Sequence, residues 1–144
     1  MSHLKRSKIQ KKYNLFSYHL SKVVDISKIY ICVITRSENI LLVPEQDRKI
    51  DLKTFPALLG TGRLSFGSAD RLLENLGVQP GAVTPLSMIT GVSHGVALFI
   101  DSELRSCHTL YVHPLVNDRT LAIGVDELEL FFSNISAEPT WLTL

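Results

Sequence analysis

Apolar, β-branched residues in this chain come in short runs that stop at turn residues, and helical patterns interrupt them irregularly. Residues 28–35 form the first run. Ser37, Glu38 and Asn39 then read as a hairpin turn into residues 40–43. Pro44 makes that second strand short or places it at an edge. Asp51 can cap a short helix over residues 52–59, which Gly60, Thr61 and Gly62 end. Residues 63–66 read as a brief strand. A helix over residues 69–76 sits between Ser68, a good N-cap, and Gly77, a good left-handed terminator. Pro80 and Gly81 mark a tight turn. Two further strands follow: residues 95–100, closing at Asp101, and residues 106–113, stopped by Pro114. Asn117 and Asp118 turn into residues 120–124. A helix over residues 126–132 carries acids in its first turn, which suits the helix dipole. This order excludes both strict βαβ alternation and a pure β fold. It predicts an α+β fold with a mixed sheet.

The length of 144 residues suits one domain with a single substantial core. No internal repeat or low-complexity linker divides the chain. Leu15, Phe16, His19, Leu20, Val23 and Val24 recur at helical spacing, and Asp25 closes the pattern. The expected organisation is a basic arm and helix over residues 1–24, followed by one domain over residues 25–144. No apolar run approaches the roughly 20 residues needed to span a bilayer. The N-terminus lacks the apolar segment of a secretory signal. The expected location is the cytoplasm, with no membrane partner.

Charge is unevenly spread. Lys5, Arg6, Lys8, Lys11 and Lys12 give residues 1–12 a charge of +5 with no acid. The remaining residues carry 10 basic and 14 acidic side chains, a balance of −4. The arm reads as a solvated tail or a segment that pairs with nucleic-acid phosphates, and a mitochondrial presequence, basic and serine-bearing without acids, is too weak a match to assign. Cys32 and Cys107 are the only cysteines and lie in apolar, strand-like surroundings, so buried free thiols are expected. Cys107, His108 and His113 are close in sequence. A strand through them would put Cys107 and His113 on one face and His108 on the other. A zinc site would also need a fourth ligand of suitable type. No metal is expected. His94, in the glycine-flanked segment 91–95, reads as a solvated loop residue.

The chain has no P-loop, GxSxG, GxGxxG or zinc-ligand cluster. What it has is an ordered series. Arg63-Leu-Ser-Phe66 leads into a capped helix and Leu76-Gly77-Val78. Gly81-Ala-Val-Thr-Pro85 follows, and after the next strands comes His113-Pro-Leu-Val-Asn117. In this order and spacing the series resembles the YbaK/prolyl-tRNA synthetase associated domain family, over roughly residues 27–132. The resemblance implies a curved, barrel-like mixed sheet surrounded by helices. It also implies editing: hydrolysis of aminoacyl-tRNA charged with the wrong amino acid. The chain looks most like the freestanding branch that clears alanine from proline tRNA. Removal of cysteine, or a non-catalytic role in binding tRNA or a synthetase, are the alternatives.

The resemblance also assigns roles. Lys28, at the start of the first strand, corresponds to the family's key lysine, which can position substrate as a point charge. Gly81, Ala82 and Pro85 belong to the loop that holds the ester and terminal adenosine. Backbone N–H groups of such a turn can polarise the carbonyl, and the substrate's own ribose hydroxyl assists. His113 and Asn117 would contact the ribose end, and Pro114 is a further substrate-binding residue. The partner is then the aminoacylated 3′ end of tRNA, with a synthetase as a second partner, and no cofactor is needed. Two departures stand out. Ile29 replaces an asparagine common in the family, removing a donor and an acceptor. Family members also carry a longer helical region ahead of the lysine, forming one pocket wall. Here only residues 15–25 are available for it.

Overall fold

The computed structural model describes residues 31–34, 38–45, 48–49 and 51–144, the first four by backbone alone. Strands β1 (Ile31–Ile34) and β2 (Asn39–Val43) form an antiparallel hairpin with Ile31 opposite Leu42. Helix α1 (Phe55–Leu59) follows, then the two-residue strand β3 (Ser65–Phe66), antiparallel to β1. Helix α2 spans Ala69–Leu76. The chain next makes a 3-10 turn (Pro85–Ser87), helix α3 (Met88–Gly91) and a second 3-10 turn (Val92–His94). Strand β4 (Ala97–Asp101) runs parallel to β2, with Ile40 opposite Ala97. A 3-10 segment (Ser102–Ser106) leads to strands β5 (Thr109–Val112) and β6 (Leu121–Gly124), which pair antiparallel. Helix α4 (Val125–Asn134) and strand β7 (Thr140–Leu142) follow, β7 parallel to β4.

The mixed sheet has five strands in the order β3-β1-β2-β4-β7, and β5-β6 is a separate two-stranded sheet. The α+β expectation therefore holds, but the barrel-like closure does not. Closing a barrel requires the outermost strands to pair with a consistent stagger. Here the outer strands are β3 and β7, of two and three residues, and they do not pair with each other. The sheet stays open, and the β5-β6 hairpin contributes to the core from one side.

Alternation along the strands builds two apolar layers. Leu41, Val43, Leu98 and Ile100 join Leu110, Val112, Leu121 and Ile123 of the hairpin, Leu72 and Leu76 of α2, and Leu128, Phe131 and Phe132 of α4. Ile40 and Leu42 point the other way, towards Phe55 and Leu64, with Ala97 and Phe99 packed alongside. Strand β2 is consequently buried on both faces: Ile40, Leu41 and Leu42 are each 0% exposed. Each such side chain contributes roughly 1.5–3 kcal/mol of burial. The strand is short, as Pro44 suggests, but it is central. Its last paired residue is Val43, so the proline falls just beyond the ladder and removes no bond from it.

Helix α2 is bounded as its sequence suggests. Ser68 Oγ accepts from the Arg71 amide at 3.3 Å, and Gly77 ends the helix at φ 68°. Several boundaries shift. Helix α1 starts at Phe55, because residues 52–54 form a turn, and β5 starts at Thr109. The segment around His94 is helical, while His94 itself is exposed. Strand β7 was not foreseen. The expected helix over residues 15–25, the basic arm and the Cys32 side chain lie outside the described residues.

Candidate functional site

The turn at Gly81 is made by Pro80 and Gly81 at its centre. The Ala82 amide donates to the Gln79 carbonyl at 3.0 Å, and Gly81 has φ +84°. Proline followed by a residue of positive φ is the signature of a type II turn. The conformation is what selects glycine here. The turn's hydrogen bond consumes the Ala82 amide, so that N–H is not available to an incoming carbonyl. The Gly81 amide lies outside this bond.

Beyond the turn the chain enters the core. Ala82 is 3% exposed and Thr84 0%, and Pro85 is buried as well. Thr84 caps the following 3-10 turn: its Oγ1 accepts from the Leu86 amide at 3.4 Å, and Pro85 takes the first position. The Ser87 hydroxyl donates to the Thr84 carbonyl. These bonds fix the exit of the loop. The Ala82 and Pro85 side chains face protein, so their part in binding a ligand would be played by backbone and shape. The cap-and-proline pair Thr84-Pro85 is a legible helix-start signal that the sequence reading passed over.

The segment from His113 to Asn117 is the bend between β5 and β6. Val112 and Leu121 are the last pair before it. His113 is half-buried, and its Nδ1 lies 3.1 Å from the Arg119 carbonyl oxygen. A carbonyl can only accept, so Nδ1 carries the hydrogen, and Nε2 of the neutral ring is left as an acceptor. Pro114 and Leu115 are buried, and Asn117 is exposed. Leu115 has φ +71°.

The two segments meet. A methyl group built on Gly81 would lie 3.7 Å from Nδ2 of Asn117. Of the residues singled out from sequence, the structure thus sets Gly81 and Asn117 side by side. Ala82 and Pro85, further along the chain, are buried. His113 stands at the near end of the bend that carries Asn117. Lys28 lies outside the described residues. Two adjoining cavities, of about 260 and about 530 Å³, share Ser136, Ala137 and Glu138, and neither is lined by Gly81, His113 or Asn117. Loop geometry, not cavity size, therefore marks the candidate site.

Cys107 and His108 stand apart from this arrangement. Strand β5 begins after them, so the strand-period argument does not extend to Cys107, which caps the preceding 3-10 segment. Cys107 is a free, half-buried thiol, and His108 is exposed. Among the described residues no three His, Cys, Asp or Glu side chains group to hold a metal ion. No helix among them is long and apolar enough to cross a membrane.

One buried charge was also missed. Asp101, at the end of β4, is 0% exposed. Its Oδ2 accepts from the Glu45 amide and from Arg48 Nε, each at 3.1 Å, and its Oδ1 accepts from the Glu103 amide at 3.1 Å. Arg48 also donates to the Leu144 carbonyl at 2.6 Å and pairs with Glu103 at 3.2 Å. This is a structural knot: it ties the segment after β2 to the ends of β4 and β7. An aspartate ending an apolar run was visible in sequence, but its partners were not.

Fold and sequence together define the class: over residues 18–131 the chain matches the aminoacyl-tRNA editing domain, and it belongs to that family. Among its relatives is the prolyl-tRNA editing protein ProX of Acetoanaerobium sticklandii. The two are 37% identical over 94 residues, which cover 64% of this chain and 56% of that protein. Prolyl-tRNA synthetase associated domain-containing protein 1 of Danio rerio is 30% identical over 105 residues, covering 72% and 57% respectively. The chain thus spans a little over half the length of these relatives. The crystal structure of a proposed trans-editing enzyme for prolyl-tRNA synthetase superposes with a TM-score of 0.65 at 14% identity, covering 100% of this chain and 99% of that one. A hypothetical protein of known structure gives 0.65 at 16% identity, covering 96% and 98%. At these identities the likeness is one of fold.

Proposed function

We propose that this chain is a prolyl-tRNA editing deacylase that removes alanine from proline tRNA. The observation that carries the reading is the meeting of the Gly81 turn with Asn117, two segments far apart in sequence. An aminoacyl ester is already activated, so a protein that holds its carbonyl and terminal ribose need supply little more. The Gly81 backbone can approach the ester closely because no Cβ intervenes. Asn117 offers an amide donor and acceptor beside it, and His113 Nε2 can accept a ribose hydroxyl. Lys28 positions the substrate as a point charge.

Water attacks the ester carbonyl carbon, and the bond from that carbon to the ribose oxygen breaks. The amino acid departs as a carboxylate and the ribose recovers its hydroxyl. Discrimination against proline is steric: the loop site admits the smaller side chain. The names of the relatives, one a prolyl-tRNA editing protein and the other bearing a prolyl-tRNA synthetase associated domain, support the tRNA assignment.

The test is deacylation of proline tRNA charged with alanine, cysteine or proline. Fast loss of alanine with proline retained is the expected result. Faster loss of cysteine would reassign the substrate. Stability of all three esters, with tRNA still bound, would make the chain a binding member of the family. The proposed route uses no metal, so prior dialysis against a chelator leaves the rate unchanged.

A further inference from the structure

The bend that carries the candidate residues is held by an unusual device. Leu115 sits midway between His113 and Asn117. It has a left-handed backbone, φ +71°, yet it is neither glycine nor asparagine. Among the described non-glycine residues only Ser136 shares a positive φ. Leu115 is also 3% exposed and belongs to the main apolar cluster, with Val112, Leu121 and Ile123 of the same hairpin. A left-handed leucine is disfavoured because its Cβ crowds the backbone. Such a conformation persists only when the surroundings over-determine it, and here the buried side chain does so. The bend therefore has a peg: the side chain enters the core, and the backbone on either side must reverse. Asn117, two residues on, emerges exposed and beside Gly81.

We propose that Leu115 is a positioning residue of this site, pegging the β5-β6 bend so that Asn117 is held against the Gly81 turn. The proposal deepens the editing reading and rests on it for its kinetic test. Leu115 touches no substrate; it acts through Asn117.

Three substitutions separate this role from simple packing. Leu115→Met keeps a large apolar peg that is unbranched at Cβ. Leu115→Val keeps an apolar side chain but is β-branched, which opposes the left-handed backbone. Leu115→Ala removes the peg. All are assayed with the full chain, well below each variant's thermal transition, on alanine-charged proline tRNA. Leu115→Ala and Leu115→Val are expected to lower kcat by about tenfold to a hundredfold, the scale of a misplacement near 1 Å. Leu115→Met is expected to stay near wild type. The double variant Leu115→Ala/Asn117→Ala should be no slower than Asn117→Ala alone, because both remove one function. Wild-type kcat in folded Leu115→Ala, or losses that multiply in the double variant, would overturn the proposal.

The placement also has a readout independent of turnover. In Leu115→Val, or in Leu115→Ala where it folds, the Gly81 backbone amide and the Asn117 side-chain amide should shift in the NMR spectrum, while remote amides hold still. If the wild type deacylates nothing, the editing reading falls and this spectrum decides the placement. Unmoved Gly81 and Asn117 resonances would overturn it.

Discussion

At Gly81, backbone conformation and close approach make the same demand. A φ of +84° disfavours any side chain with a Cβ, and the space beyond holds the Asn117 amide. Contact at 3.7 Å is ordinary, so a methyl group would fit sterically and the strain would come from φ. Gly81→Ala should then cost about 1 kcal/mol in stability. Its effect on deacylation should be larger in proportion, at least tenfold, if the turn holds the ester as proposed. Thermal melts and single-turnover rates on the same preparation separate the two. Normal turnover would reduce the loop to a structural turn. Lys28→Ala should give the opposite pattern from a core substitution: turnover lost, with stability changed by no more than about 0.5 kcal/mol. A variant that hydrolyses at the wild-type rate would remove Lys28 from the site.

At the scale of elements, the close packing of α2 against α3 depends on Gly91. A Cβ there would lie 3.0 Å from Met88 Sδ, 3.1 Å from Leu76 Cδ2 and 3.3 Å from Val96 Cβ. Alanine would gain up to about 1 kcal/mol in helix propensity. Overpacking costs about 1–3 kcal/mol, and Val96 Cβ, being tied to its backbone, cannot swing aside. Gly91→Ala is therefore expected to lower Tm, and a raised Tm would show that the neighbours yield. The same elements explain what was readable beforehand. Helix α2 was visible because cap, apolar spacing and terminator agree at Ser68, Leu72, Leu76 and Gly77. Residues 86–90 carry no local signal that assigns them to an element, and 91–95 reads as a loop. The helical turns there are brief, and burial of Leu86, Met88 and Val96 supplies what local periodicity does not. Gly81 and Asn117 were each legible as turn residues, whereas their adjacency depends on how the hairpin docks. The left-handed Leu115 had no local signal, since nothing in a leucine announces positive φ.

Across the whole molecule, two charge features make separate predictions. Asp101 is buried and fully engaged, so Asp101→Ala leaves Arg48 without its buried partner. The Glu45 and Glu103 amides lose their acceptor with it. Arg48 is partly exposed and keeps its contact with Glu103, so a lowered Tm with the fold retained is expected. An unchanged melt would mean that Asp101 is dispensable to the knot. The basic arm, residues 1–12, should matter to tRNA and not to chemistry. Its deletion is expected to weaken tRNA binding and to flatten log affinity against log salt by roughly two to three contacts' worth, at about 0.7 each. Equal slopes for full-length and shortened chains would make it a solvated tail.

The parallel pairing of β2 with β4 has a consequence for how quickly the protein comes to life. Ile40 must find Ala97, and the intervening helices and turns have to be gathered before that ladder can begin. Distant pairings of this kind slow folding, to milliseconds or longer for small mixed domains, because chain closure precedes its reward. Strand β7 then adds to β4, with Ile100 opposite Trp141, and Arg105 lies 4.2 Å above the indole ring. Trp141 is the only tryptophan, so its emission reports that late step directly. In stopped-flow refolding the fluorescence change should not precede the recovery of sheet signal. Deacylation should return no earlier than the docking of the β5-β6 hairpin, which alone brings Asn117 to Gly81. A freshly made chain would on this account be competent to bind tRNA through its arm before it is competent to edit.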